Sequence, residues 1–153
     1  MTQYERLLDD IAQSAVAIIP TKSHKQPAKS MRIGHDYAIF FNETAYETDA
    51  ERVVEVVHEK AHCDSGALYC IDSPFEMRER CEYRAWKRAV HDFLPVEKLL
   101  EACRACMTAE GVAVYDLAEY LGVTPAFVVK AIEVYTLREW DSFYCAGRVV
   151  GKV

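Results

Sequence analysis

A chain of 153 residues fits a single domain and can bury close to ~70% of its unfolded surface, so it needs no disulfide staples. It is 51% apolar and 27% charged, as a globular protein is, and no stretch approaches the roughly 18 apolar residues of a membrane span, so no membrane association is expected. The net charge of −6 excludes the broad basic surface that nonspecific nucleic-acid binding requires.

Residues 2–18 carry Leu7, Leu8, Ile11, Ala15 and Ile18 at helical spacing, which predicts a helix that stops before Pro20. The start Met1-Thr2-Gln3-Tyr4-Glu5-Arg6 lacks the basic flank and apolar block of a signal peptide, so a cytoplasmic location is expected. The six cysteines are then read as reduced thiols. A polar connector follows to about Ser30, and its basic run Lys22, Lys25, Lys29 and Arg32 reads as a solvated loop. Ile33, Tyr37, Ile39, Phe40 and Phe41 make a β-rich stretch, with Gly34-His35-Asp36 as the turn between two strands.

Thr48-Asp49-Ala50-Glu51 has the form of a capping box and predicts a helix running past His62 to about Leu68. Ser73-Pro74-Phe75-Glu76 signals a second start, for a helix to about Phe93 that Pro95 ends. Residues 96–107 look helical. Cys103-Arg104-Ala105-Cys106 within them lacks the second cysteine pair of a structural zinc site and is read as two ordinary helix cysteines. Two short helices, Asp116–Leu121 and Pro125–Tyr135, flank Gly122-Val123-Thr124, a helix-turn-helix-like pair spanning 115–135. Residues 137–153 read as a C-terminal tail.

The chemistry concentrates at His58-Glu59-Lys60-Ala61-His62. Histidines four apart on a helix share one face, so both imidazoles can reach one ion, and zinc binds imidazole nitrogen well. Glu59 between them can take a proton from an attacking water and return it to a leaving amine. The third ligand cannot be a histidine at the spacing of one large class, because Ser65 and Leu68 stand where glycine and histidine would be needed. The next helix offers Glu76, Glu79 and Glu82. Glu82 is preferred because Ala85 and Ala89 extend its face with small residues that allow close approach to the histidine helix, against the plainer reading of Glu79 or Glu82 as surface partners of Arg78, Arg80 or Arg84. Asp64, Glu55 and Asp92 are candidates to orient the histidines, and Tyr69, Tyr83, His91 and His35 to donate to an oxyanion.

Taken together, the strand-rich Tyr37–Asn42, Ala50-Glu51-Arg52 leading to the histidine motif, Glu82-x-x-Ala85-x-x-x-Ala89 and Leu117-Ala118-Glu119-Tyr120-Leu121-Gly122-Val123-Thr124-Pro125 resemble short phage-type members of the ImmA/IrrE metallopeptidase family. Cys63-Asp64-Ser65-Gly66-Ala67-Leu68-Tyr69 is similar too, and the resemblance covers about residues 1–136. It departs at Lys60-Ala61, where Leu-Gly is often seen, and at Trp86, where a small polar residue is frequent. The resemblance implies zinc ligands His58, His62 and Glu82, with Glu59 as general base. The fold it implies is α+β, a mainly helical domain over 1–136 with a small antiparallel sheet and a thermolysin-like metal helix. The role it implies is that of an antirepressor-type endopeptidase whose protein substrate is a helix-turn-helix repressor of a prophage or mobile element. Two other readings are a zinc-binding regulator without catalysis and a DNA-binding helix-turn-helix protein. Direct DNA binding is not expected, because Asp116, Glu119 and Glu133 outnumber Lys130 across the two helices.

Overall fold

The computed structural model describes residues 1–136, and the tail expected over 137–153 lies outside the described residues. The chain is α+β and mainly helical, with one three-stranded sheet among the described residues. It divides into two compact units, Met1–Ala89 and a second beginning at Val90.

In the first unit, α1 (Gln3–Ala12) opens on a reciprocal cap. Thr2 Oγ1 accepts from the Glu5 amide at 3.1 Å, and Glu5 Oε2 accepts from the Thr2 amide at 2.7 Å. The helix ends at Ala12 instead of continuing to Pro20, and Val16–Pro20 forms a strand, β1. Ser14 makes the break, since its hydroxyl donates to the Ile11 carbonyl at 2.7 Å and accepts from the Val16 amide at 3.2 Å. Val16, Ile18 and Ile19 are β-branched, and pairing with a distant strand outcompetes their helical spacing.

That partner is β3 (Asp36–Phe41), which lies between β1 and β2 (Ala28–Ile33). The turn at Gly34-His35 forms as the sequence indicates, with Gly34 at φ +66°, where a glycine is favoured. The sheet is mixed, which corrects the antiparallel expectation. β2 runs antiparallel to β3, and β1 pairs parallel to it, Val16 beside Tyr37 and Pro20 beside Phe41. The reason is the connection over residues 21–27, which carries the chain past the central position so that β3 returns between its neighbours. β1 and β2 are therefore both edges, and an edge tolerates Pro20. β2 also begins at Ala28, inside the stretch expected to be loop, and buried Asn42 ties that connector down through Nδ2 to the Ser23 carbonyl at 3.1 Å.

The capping box at Thr48 forms with both halves present and starts α2 (Asp49–Ser65). Val53, Val54, Val56 and Val57 are buried, and α2 packs on β2, β3 and α1. It stops three residues before Leu68, because Gly66 turns left-handed at φ +65°. α3 (Phe75–Phe93) follows Pro74, whose carbonyl accepts from the Arg78 amide at 3.1 Å. Ser73 Oγ accepts from the Cys70 amide at 3.0 Å, closing the turn before the helix.

The second unit holds the last turn of α3 with α4 (Val96–Ala105), α5 (Val114–Leu121) and α6 (Pro125–Thr136). Gly122 at φ +66° closes α5, and Thr124 Oγ1 accepts from the Phe127 amide at 3.3 Å to open α6. The helix pair read from the sequence is thus present, with α5 starting at Val114, earlier than Asp116. Phe127, Val128, Ala131 and Tyr135 bury one face of α6, and the Tyr135 hydroxyl donates to the Leu94 carbonyl at 2.9 Å. Among the described residues all five cysteines are free thiols and no helix is long and apolar enough to cross a membrane.

Candidate metal centre

His58 and His62 lie one turn apart on α2, both buried, with ring centroids 4.6 Å apart and planes at 72°. Their Nε2 atoms approach to 3.2 Å. Glu82 reaches across from α3, Oε2 at 3.0 Å from His58 Nε2 and Oε1 at 3.2 Å from His62 Nε2. Glu76 and Glu79 are exposed and stand outside this group. The close helix approach that the alanines suggested is not what delivers the carboxylate. Ala85 and Ala89 are buried, but α2 makes its most extensive contacts with β2, α1 and β3, and the long side chains of Glu82 and Trp86 span to the histidines.

The Ala67 carbonyl, 2.7 Å from His62 Nδ1, can only accept, so Nδ1 carries the hydrogen and Nε2 presents a lone pair. Gly66 sets that carbonyl in place, because its left-handed turn folds residue 67 back under the histidine. None of the three carboxylates considered for this task performs it for His62. Asp64 instead pairs with Lys60 along the helix. His58 Nδ1 is buried and without a hydrogen-bond partner among the described residues. Its ring is held by stacking on Trp86, with centroids 3.8 Å apart and planes within 17°.

The two Nε2 atoms lie 3.2 Å apart, and each has one oxygen of the Glu82 carboxylate at 3.0 or 3.2 Å, separations of the size found between atoms bound to one metal ion. A tetrahedral ion with bonds of ~2.0–2.1 Å has ligand-to-ligand edges of about 3.3 Å. Electron-pair donors brought this close repel one another unless a proton or cation lies among them. His58, His62 and Glu82 can therefore hold a metal ion. Burial acts to raise the Glu82 pKa, but hydrogen bonds from His58, His62 and Tyr69 outweigh it and hold the carboxyl well below its ordinary range. Burial likewise opposes charge on His62, and the contacts with Glu82 and Ala67 reverse that and raise its pKa.

Comparisons with family models, curated proteins and solved structures find no match. The chemistry of the centre accordingly stands on its own geometry.

Glu59 opens into the same cleft of about 250 Å³ as His62 and Glu82. Its Oε2 accepts from Ser30 Oγ at 2.5 Å, and the same hydroxyl lies 2.6 Å from the Glu59 carbonyl. Ser30 sits on β2 opposite Ile39, in a stretch that the sequence presents as loop, and a lone serine there carries no signal of its own. Of the four groups considered as oxyanion donors, Tyr69 is at the centre, its hydroxyl 2.6 Å from Glu82 Oε1. Burial, then Glu82, pushes its pKa up to about 12, so it remains a donor. Tyr83 and His35 are exposed, and His91 lies in the second unit, edge-on to Tyr135 at 5.2 Å. Ser30, His58, Glu59 and His62 are four of the five buried polar residues among those described, so the first unit concentrates its buried polarity here.

Proposed function

We propose that this chain is a zinc-dependent endopeptidase of thermolysin-like type, with His58, His62 and Glu82 as ligands and Glu59 as general base. The observation that carries the reading is the cluster of His58, His62 and Glu82, two of whose members line the cleft that Glu59 also lines. Two imidazoles and one carboxylate are a donor set that zinc accepts while keeping a fourth position open. Zinc bound there supplies a Lewis acid that acidifies water and polarises a peptide carbonyl.

Glu59 takes a proton from the attacking water and delivers it to the departing amine nitrogen. Ser30 Oγ, within hydrogen-bond distance of Oε2, holds that carboxyl in place at the cleft. Tyr69 holds Glu82 from its outer side and has a hydroxyl in reach of charge developing in the cleft.

A helix-turn-helix repressor as substrate rests on the resemblance to ImmA/IrrE proteins alone, since fold and motif do not fix a target. The test is to purify the protein natively, measure its metal content, and incubate it with the repressor encoded nearest its gene, mapping fragments by mass spectrometry. Stoichiometric zinc with defined cleavage is expected. Glu59→Gln should keep the zinc and lose about 10²–10⁴-fold in rate. Zinc binding without cleavage of any protein in a host lysate would instead identify a regulator that uses the metal to organise its helices.

A further inference from the structure

The cleft carries two cations that the proposed chemistry does not use. Lys29, beside Ser30 on β2, and Arg78, one turn before Glu82 on α3, both line it. The carboxylates around them are already committed, Glu59 to Ser30 and Glu82 to His58, His62 and Tyr69. Neither Lys29 nor Arg78 has a carboxylate within ion-pair distance among the described residues, and Arg78 Nε has no hydrogen-bond partner there. Its guanidinium lies 6.0 Å from the ring centre of the exposed Phe75, a contact that leaves it fully charged. Leu68 and Ile71 supply the apolar part of the same wall, and Ile71 is 83% exposed.

A recess lined by two unpaired cations draws anions, and a guanidinium pairs a carboxylate with directional hydrogen bonds. In a chain of net charge −6 such a recess is a local feature and no consequence of a generally basic surface. Lys29 also belongs to the basic run that the connector and β2 share with exposed Lys22, Lys25 and Arg32, so positive charge continues along the approach. We propose that the cleft selects peptides bearing an acidic side chain beside the bond to be cut, read by Arg78 and Lys29, with Leu68 and Ile71 receiving an apolar neighbour. Cleavage beside that side chain rests on the peptidase reading; the recognition of an acidic peptide does not.

The test uses the zinc-loaded full chain carrying Glu59→Gln and three capped, fluorescein-labelled hexapeptides that are identical except for Glu, Gln or Lys at one central position. Binding is read by fluorescence anisotropy at low salt. The Glu peptide should bind ~10-fold or more tightly than the Gln peptide, as charge-assisted pairing in a recess allows, and the Lys peptide weakest. Adding Lys29→Gln and Arg78→Gln should bring the Glu-to-Gln ratio to within about twofold, and Arg78→Lys should keep part of it. Equal binding of the Glu and Gln peptides to the chain with native Lys29 and Arg78 overturns the proposal, and this comparison needs no variant of either residue. A preference that survives loss of both cations also overturns it, because the metal would then be reading the carboxylate. Acid-selective binding by a wild-type protein that cleaves none of the three leaves the recognition standing and removes the peptidase reading. Cleavage without preference for the Glu peptide does the reverse.

Discussion

Removing one hydroxyl at Ser30 tests how the Glu59 carboxyl, the proposed general base, is held. Ser30 and Glu59 are each only 8% exposed, so once Ser30→Ala deletes the contact only water of the cleft is left to replace it. A hydrogen bond to a charged group contributes about 1.5–3 kcal/mol, and the buried carboxylate left behind has no other side-chain partner among the described residues. If that energy acts wholly on the step in which Glu59 moves a proton, about 1.4 kcal/mol per decade converts it to a roughly 10- to 100-fold fall in kcat. Ser30 touches no ligand atom, so zinc stoichiometry and affinity should stay unchanged. Denaturant unfolding supplies a readout independent of activity: in a cycle of Ser30→Ala, Glu59→Ala and the double variant, the two substitutions should couple by about 1–2 kcal/mol. Additivity within ~0.5 kcal/mol, together with a kcat within twofold of wild type, would show that Ser30 is ordinary β-strand packing.

Two further outcomes are expected. Gly66→Ala forces an L-residue into a left-handed turn at φ +65°, a conformation that costs roughly 1–2 kcal/mol. The added methyl finds only Tyr37 Oη at 4.0 Å, so the cost is in the backbone. As the turn relaxes, the Ala67 carbonyl leaves His62 Nδ1, and zinc affinity in a chelator competition should weaken ~10–100-fold; a loss of stability with unchanged affinity would refute the link. The metal-free protein should respond to pH in two windows. The raised pKa of His62 gives stability that is full below the unfolded value near ~6.5 and is lost as pH rises through the folded value. The depressed pKa of Glu82 gives stability that is full above its unfolded value near ~4.5 and is lost as pH falls through the folded one. Urea midpoints of the metal-free chain should therefore decline above neutrality, whereas those of the zinc-loaded chain rise because protons compete with the metal. Parallel profiles for the two forms would refute the assignment.

The helix carrying His58 and His62 is the most legible part of the chain because its determinants are local. Thr48 and Glu51 form the box that their spacing announces, and residues four apart on one helix meet without help from the rest of the fold. Glu82 was legible as a candidate, though the alanines offered as its reason do not bring the helices together. β1 was misread because Ile11, Ala15 and Ile18 satisfy a helical period. What made Val16–Pro20 a strand was a partner twenty-one residues on (37 − 16), outside any local window. Ser30 was illegible for the same reason. Its position under Glu59 depends on strand register and on α2 lying across β2, and neither leaves a mark at residue 30. Trp86 is unusual in the sequence, but only the fold gives it a task, stacking on a histidine whose Nδ1 has no hydrogen-bond partner among the described residues.

The three residues of the cluster are also separated in the order in which the chain is made. His58 and His62 come together as soon as α2 coils, whereas Glu82 lies twenty residues later (82 − 62) and must close a loop containing Gly66 and Pro74. Closing the connection over residues 66–74 costs roughly 2 kcal/mol of chain entropy. A growing chain therefore displays two of the three residues of the cluster while β1, β2 and β3 are already out. The cluster is complete only when α3 arrives, so an ion held by all three residues would also record that this segment has docked.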